Sequence, residues 1–106
     1  MEPLISCLCP TKNHPSIVID AIMDFKKQTW ANKELILVTD EKSEYKDVLK
    51  YFECDSIKLC LAPHGSTIGS LRNISKEKAQ GEYVATWDDD DEHHKDRLTI
   101  QYEAIT

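Results

Sequence analysis

Asp88, Asp89, Asp90, Asp91 and Glu92 stand consecutively, directly behind the apolar run YVATW at 83–87. Carboxylates this close raise one another's proton affinity unless a cation compensates. Hard oxygen donors select Mg²⁺, Mn²⁺ or Ca²⁺. Mg²⁺ in particular is usually held by one or two carboxylates together with substrate phosphates. Runs of charge are commonly solvated loops, but no turn residue separates this one from the strand before it. Asp88 and Asp89 are therefore expected beside a rigid element, and the chemistry implied is diphosphate binding through a bridging cation.

Other residues could join that site. Thr11 follows the first apolar run and Asp40 the second. A carboxylate after a strand either caps the next helix or accepts a hydrogen bond from an imide or hydroxyl of a ligand. The stretch HGSTIGSLRN at 64–73 carries Gly65 and Gly69, which allow close backbone approach, and Arg72, which can reach phosphate. A helix starting there would offer free N–H groups to an anion. His93 and His94 are adjacent, so both cannot easily serve one metal. Trp30 and Trp87 read as packing residues rather than a base-stacking platform.

These residues need a frame to hold them. Residues 4–9 read as a strand ended by Pro10. Residues 15–30 read as a helix with Pro15 in its first turn and Val18, Ile22 and Phe25 on one stripe. Residues 34–38 are apolar throughout, as in a strand covered on both faces. A weaker helix is expected over 43–53 and a third strand over 57–62, where Lys58 argues against a central place. Ser66 or Thr67 can cap a helix running to about Gln80, with Ile68, Leu71 and Ile74 inward and Gly81 at its end. A fourth strand follows over 82–87, and a further helix begins in HKDRLTIQYEAI. This alternation predicts one α/β domain over residues 1–106, with a mostly parallel sheet of about four strands flanked by helices. Ligands of such sheets bind beyond the carboxyl ends of the strands. Thr11, Asp40 and the acidic run all fall there.

Composition narrows the classes. The 106 residues carry a net charge of −6, and the whole excess lies in residues 81–106, because residues 1–80 balance. No basic face points to nucleic acid. No apolar run approaches the roughly 20 residues of a membrane span. The N-terminus lacks a basic n-region and a cleavage site, so the expected compartment is the cytoplasm, including the inner face of its membrane. Cys7, Cys9, Cys54 and Cys60 fit no common zinc spacing and are expected to be reduced and buried.

The segments PLISCLCPTKNHP, QTWANKELILVTDEKS, GSLRNISKEKAQGEYVATWDDDD and DRL resemble, in order, family 2 glycosyltransferases of the GT-A fold. The resemblance implies a Rossmann-like nucleotide-binding half and inverting transfer of a sugar from a nucleotide-diphosphate sugar, a UDP-sugar foremost, to a saccharide or other hydroxyl acceptor. It also implies Mn²⁺ or Mg²⁺ as cofactor. Pro10 and Thr11 would contact the nucleoside, Asp40 the base and Arg72 the diphosphate. Asp88 and Asp89 would lie at the nucleotide, with Asp90 and Asp88 at the metal. Thr39 stands where the family has the first acid of an aspartate pair. His93, His94 and Lys95 replace its usual aromatic and proline. The family's general base and acceptor site lie further downstream, so the chain is expected to be the donor-binding half, with no catalytic base of its own. A non-catalytic, degenerate module of the same family is the alternative. A phosphotransfer receiver would need acids after strands 1 and 3, and a sugar-phosphate nucleotidyltransferase a glycine-rich loop after strand 1; neither is present. An open sheet edge offers a route to homo-oligomers.

Overall fold

The computed structural model describes residues 2–12, 17–40, 56–88 and 93–105. Four strands form one sheet: β1 (Ile5–Pro10), β2 (Lys33–Thr39), β3 (Ile57–Leu61) and β4 (Tyr83–Thr86). Their order across the sheet is β3-β2-β1-β4, and every pairing is parallel. Three helices accompany them: α1 (Ile17–Lys26), α2 (Ile68–Lys78) and α3 (Arg97–Ile105). The helix expected over 43–53 lies outside the described residues.

The sheet is covered on both sides, and the strands alternate accordingly. Ile5, Cys7 and Cys9 of β1 and Leu35 and Leu37 of β2 share one core with Val18, Ala21, Ile22 and Phe25 of α1 and Leu98 of α3. Leu8, Ile36 and Val38 face the other way, onto Leu71 of α2. β1 and β2 are buried along almost their whole length, as central parallel strands must be. β3 is half-exposed, so Lys58 does sit on an edge. Cys7 and Cys9 are buried, reduced thiols, Cys60 is reduced but only half-buried, and burial pushes the Cys7 thiol up to about 12. Cys54 lies outside the described residues.

Three local expectations need correction. The first helix stops at Lys26 rather than residue 30; Trp30 lies beyond it, buried, with its indole N–H donating to the Pro3 and Asn32 carbonyls. Thr67 is the N-cap of α2, accepting from Ser70 N–H, but Ile68 is 43% exposed; Leu71 and Ser75 are buried, and Ile74 packs half-buried against the core as expected. Gly81 does not terminate that helix with a left-handed turn. The extended Ala79 caps it, and a Cβ on Gly81 would meet Ser6 Oγ at 2.6 Å and Leu4 O at 2.7 Å. Gly81 is required for space, because β1 passes too close for any side chain.

That close pass belongs to a buried polar knot at the amino ends of the strands. Ser6 Oγ donates to Glu34 Oε2 at 2.5 Å and accepts from Gly81 N–H at 2.8 Å. Gln80 N–H donates to the same Oε2 at 2.7 Å, and Lys58 Nζ to Oε1 at 2.9 Å. One carboxylate thus ties three strands to the turn before the fourth.

Candidate functional site

The opposite edge of the sheet gathers the expected site residues. The parallel ladder runs right up to them. Thr11 N–H donates to Val38 O at 2.9 Å, Ala62 N–H to Thr39 O at 2.8 Å, and Trp87 N–H to Leu8 O at 2.8 Å. Thr11 and Thr39 are buried, so this end of the sheet is a fixed platform.

Pro10 gives the platform a break. β1 pairs with β4 as far as Leu8 opposite Thr86, and with β2 as far as Pro10 opposite Val38. The next rung toward β4 would need an N–H from Pro10, which has none. The two chains part there, between the strands where the connection order reverses. Such a switch point is where open α/β sheets form their ligand crevice. Pro10 and Thr11 stand on one side of it and Asp88 on the other.

Asp40 sits at the end of β2 with its side chain 1% exposed. Its Oδ2 accepts from Gly65 N–H at 2.9 Å and lies 3.5 Å from Lys12 Nζ. Lys12 also donates to Ser66 O at 2.7 Å. Burial alone would raise the Asp40 pKa, but the Gly65 N–H and the Lys12 ammonium outweigh it and hold the carboxyl below its ordinary value. Its Oδ1 is buried and has no hydrogen-bond partner among the described residues. Gly65 reaches Asp40 in a left-handed conformation, φ +84°, where a side chain would be strained. No protein atom crowds its missing Cβ, and at Gly69 the nearest contact is an ordinary 3.9 Å.

The acidic run is anchored at both ends. Before it, Trp87 is fully buried and donates its indole N–H to Ala21 O at 2.9 Å. After it, the His93 ring stacks on Trp87 with centroids 3.8 Å apart. The two histidines do part company: His93 is buried and His94 exposed. Arg97 contacts His93 Nδ1. A guanidinium can only donate, so Nδ1 accepts and Nε2–H donates to Asp88 O at 3.0 Å. His93 N–H donates to Asp24 Oδ2, and Gln28 of the segment after α1 holds both His94 O and Leu98 N–H. Asp88 is half-buried at the exit of β4. Asp89, Asp90, Asp91 and Glu92 lie outside the described residues. Among the described residues no group of three or more potential ligands could hold a metal ion.

Lys12, Asp40 and Gly65 are therefore brought together beside Thr11, and Asp88 stands at the exit of the neighbouring strand β4. Arg72 is exposed one turn into α2, with no ion pair among the described residues. Lys12 was not singled out from sequence. Its neighbours Thr11 and Asp40 were the available signal, since a cation beside an isolated strand-end carboxylate is a natural partner.

Residues 6–106 match the glycosyl transferase family 2 model. The chain belongs to glycosyl transferase family 2. It is 31% identical over 107 residues to TuaG of Bacillus subtilis, a glycosyltransferase named for teichuronic acid biosynthesis, covering 98% of this chain and 42% of that protein. It is 29% identical over 100 residues to WfgD of Escherichia coli, a UDP-Glc:α-D-GlcNAc-diphosphoundecaprenol β-1,3-glucosyltransferase, covering 92% and 39%. The chain thus spans less than half the length of these family members. Among solved structures, S. aureus TarS 1–349 in complex with UDP superposes with a TM-score of 0.81 at 24% identity, over 95% of this chain and 31% of that one. The Pyrobaculum calidifontis mannosyltransferase PcManGT, solved with GDP-Man and Mn²⁺, gives 0.74 at 17% identity, over 94% and 31%. These likenesses confirm the GT-A fold of this family 2 domain. No helix among the described residues is long and apolar enough to cross a membrane.

Proposed function

We propose that this family 2 domain binds a nucleotide-diphosphate sugar in the crevice between the carboxyl ends of β1 and β4, for inverting transfer to an acceptor hydroxyl. The observation that carries the reading is Asp40, a buried, ionised carboxylate at a strand end with one oxygen left unpartnered among the described residues. A fold does not leave such an oxygen without reason. A ring N–H or a hydroxyl of a nucleoside is a fitting donor. Pro10 and Thr11 line the nucleoside's side of the crevice, and Arg72 is free to swing toward phosphate.

Support for the sugar nucleotide comes from the relatives. TarS is solved with UDP and with UDP-GlcNAc, and PcManGT with GDP-Man and Mn²⁺. The acid run offers only oxygen donors, which suit Mn²⁺ or Mg²⁺. Asp88 and Asp90 would hold the ion, with Asp89 beside the nucleotide. When bound, the ion supplies positive charge to the departing diphosphate. The chain's own part is positional. Trp87 and His93 fix the residues that flank the run, Trp87 through its bond to Ala21 O and His93 through its stacking on Trp87. The base that deprotonates the acceptor is assigned to no residue of this chain.

Calorimetric titration with UDP, GDP, dTDP and CDP, each with Mn²⁺ and with EDTA, tests this reading. At least one diphosphate should bind, and only with the metal. Absence of metal-dependent binding across the set would overturn it. Binding without sugar transfer would assign the chain to donor binding alone.

A further inference from the structure

We propose that Lys12 is a positioning residue that sets the base preference of the site, by deciding which oxygen of Asp40 a ligand can use. This rests on the nucleotide reading above. Lys12 leaves the sheet just after Thr11 and reaches across the strand ends. Its Nζ donates to Ser66 O at 2.7 Å and lies 3.5 Å from Asp40 Oδ2, where Gly65 N–H also arrives at 2.9 Å. Oδ2 is thus occupied by two donors from two different segments. Oδ1 has neither, and the whole side chain is 1% exposed.

An ionised carboxylate oxygen only accepts. Whatever completes Oδ1 must therefore bring an N–H or O–H. Uracil, thymine and guanine each carry a ring N–H, whereas cytosine presents a bare ring nitrogen at the equivalent place. That distinction holds only while the carboxylate is fixed. The terminal torsion of an aspartate is soft and close to two-fold, so nothing intrinsic favours one oxygen. Lys12 breaks the symmetry. It also links the Gly65–Ser66 backbone to the same carboxylate through its bond to Ser66 O. Without Lys12 the carboxylate can rotate, the loop can withdraw its N–H, and a water can bridge to either kind of ring nitrogen. Lys12 does not touch the reacting atoms in this account.

The test compares wild type, Lys12→Met and Lys12→Arg by calorimetry in Mn²⁺, against UDP, dTDP, GDP, CDP and inorganic pyrophosphate, with thermal melts to show that each variant is folded. Wild type should prefer the best of the first three over CDP by about tenfold or more, the size of one charged hydrogen bond. Lys12→Met should shrink that preference to about threefold or less while pyrophosphate binding stays unchanged. Lys12→Arg, which keeps a cation and several donors, should restore most of it. An undiminished preference in folded Lys12→Met would overturn the inference. An equal loss for every nucleotide and for pyrophosphate would also overturn it, making Lys12 a phosphate contact. If wild type bound nucleotides without any base preference, the role given to Asp40 would fail first, and this inference with it.

Discussion

Glu34 and Asp40 occupy the two ends of β2, and each is a buried carboxylate whose pKa lies below its ordinary value. In both cases burial pushes the pKa up and hydrogen bonds more than reverse it. Their partners differ. Glu34 is fully paired: Ser6 and Gln80 saturate Oε2, and Lys58 meets Oε1. Asp40 has donors on Oδ2 and none on Oδ1 among the described residues. A satisfied network rigidifies a fold, and a partly satisfied one is a cost that something must offset. The amino end of the sheet is therefore closed by its own hydrogen bonds, whereas the carboxyl end keeps one buried acceptor unpartnered among the described residues.

The two ends should come apart under mutation. Glu34→Ala should be the most damaging change, costing about 3 kcal/mol in chemical denaturation, because it strands Ser6, the Gln80 N–H and a half-exposed lysine together. Nucleotide affinity per folded molecule should not move. Gly81→Ala should cost about 2 kcal/mol at the same knot by overpacking against Ser6 and Leu4 O. Asp40→Asn should do the reverse. It should lower the unfolding midpoint far less than Glu34→Ala while weakening nucleotide binding by about tenfold, as measured by calorimetry.

Acid sharpens the comparison. Each carboxyl has a depressed folded pKa, so its stabilising contribution is present above the unfolded value and is lost as pH falls through the folded one. For Glu34 the loss begins below its ordinary 4.5, and for Asp40 below 3.8. Denaturation curves between pH 6 and about 3 should therefore flatten in Glu34→Gln. Asp40→Asn should affect only the more acidic part. The smallest effect is expected at Thr67. Removing this N-cap should cost about 1 kcal/mol or less, with base preference intact.

Much of this architecture was legible in the chain, and the reasons are local. The unbroken apolar run at 34–38 and the alternation of strand and helix patterns determine a parallel sheet almost alone. Thr67 announced the start of α2, and Lys58 announced an edge. The knot around Glu34 was not read, since Ser6, Glu34, Lys58 and Gly81 are far apart in sequence and only strand register joins them. A glycine after a helix suits either a helix stop or a close approach, and at Gly81 only the backbone distance to Ser6 separates the two. The spacing of Ile68 to Leu71 suits a helix stripe, yet the first turn of α2, residues 68–70, is exposed. At the site, Thr11, Asp40 and Asp88 were readable as strand-end residues. Lys12 was not, since its role depends on reaching across to the loop after β3.

The most direct test of the account is one titration series in Mn²⁺, in which wild type, Asp40→Asn and Glu34→Gln are each titrated with UDP and CDP at pH 7. The account predicts metal-dependent binding by wild type and by Glu34→Gln with the same base preference, and a preference lost in Asp40→Asn. Equal binding by wild type and Asp40→Asn would contradict it, because the carboxylate with the unpartnered oxygen would then have no ligand to meet.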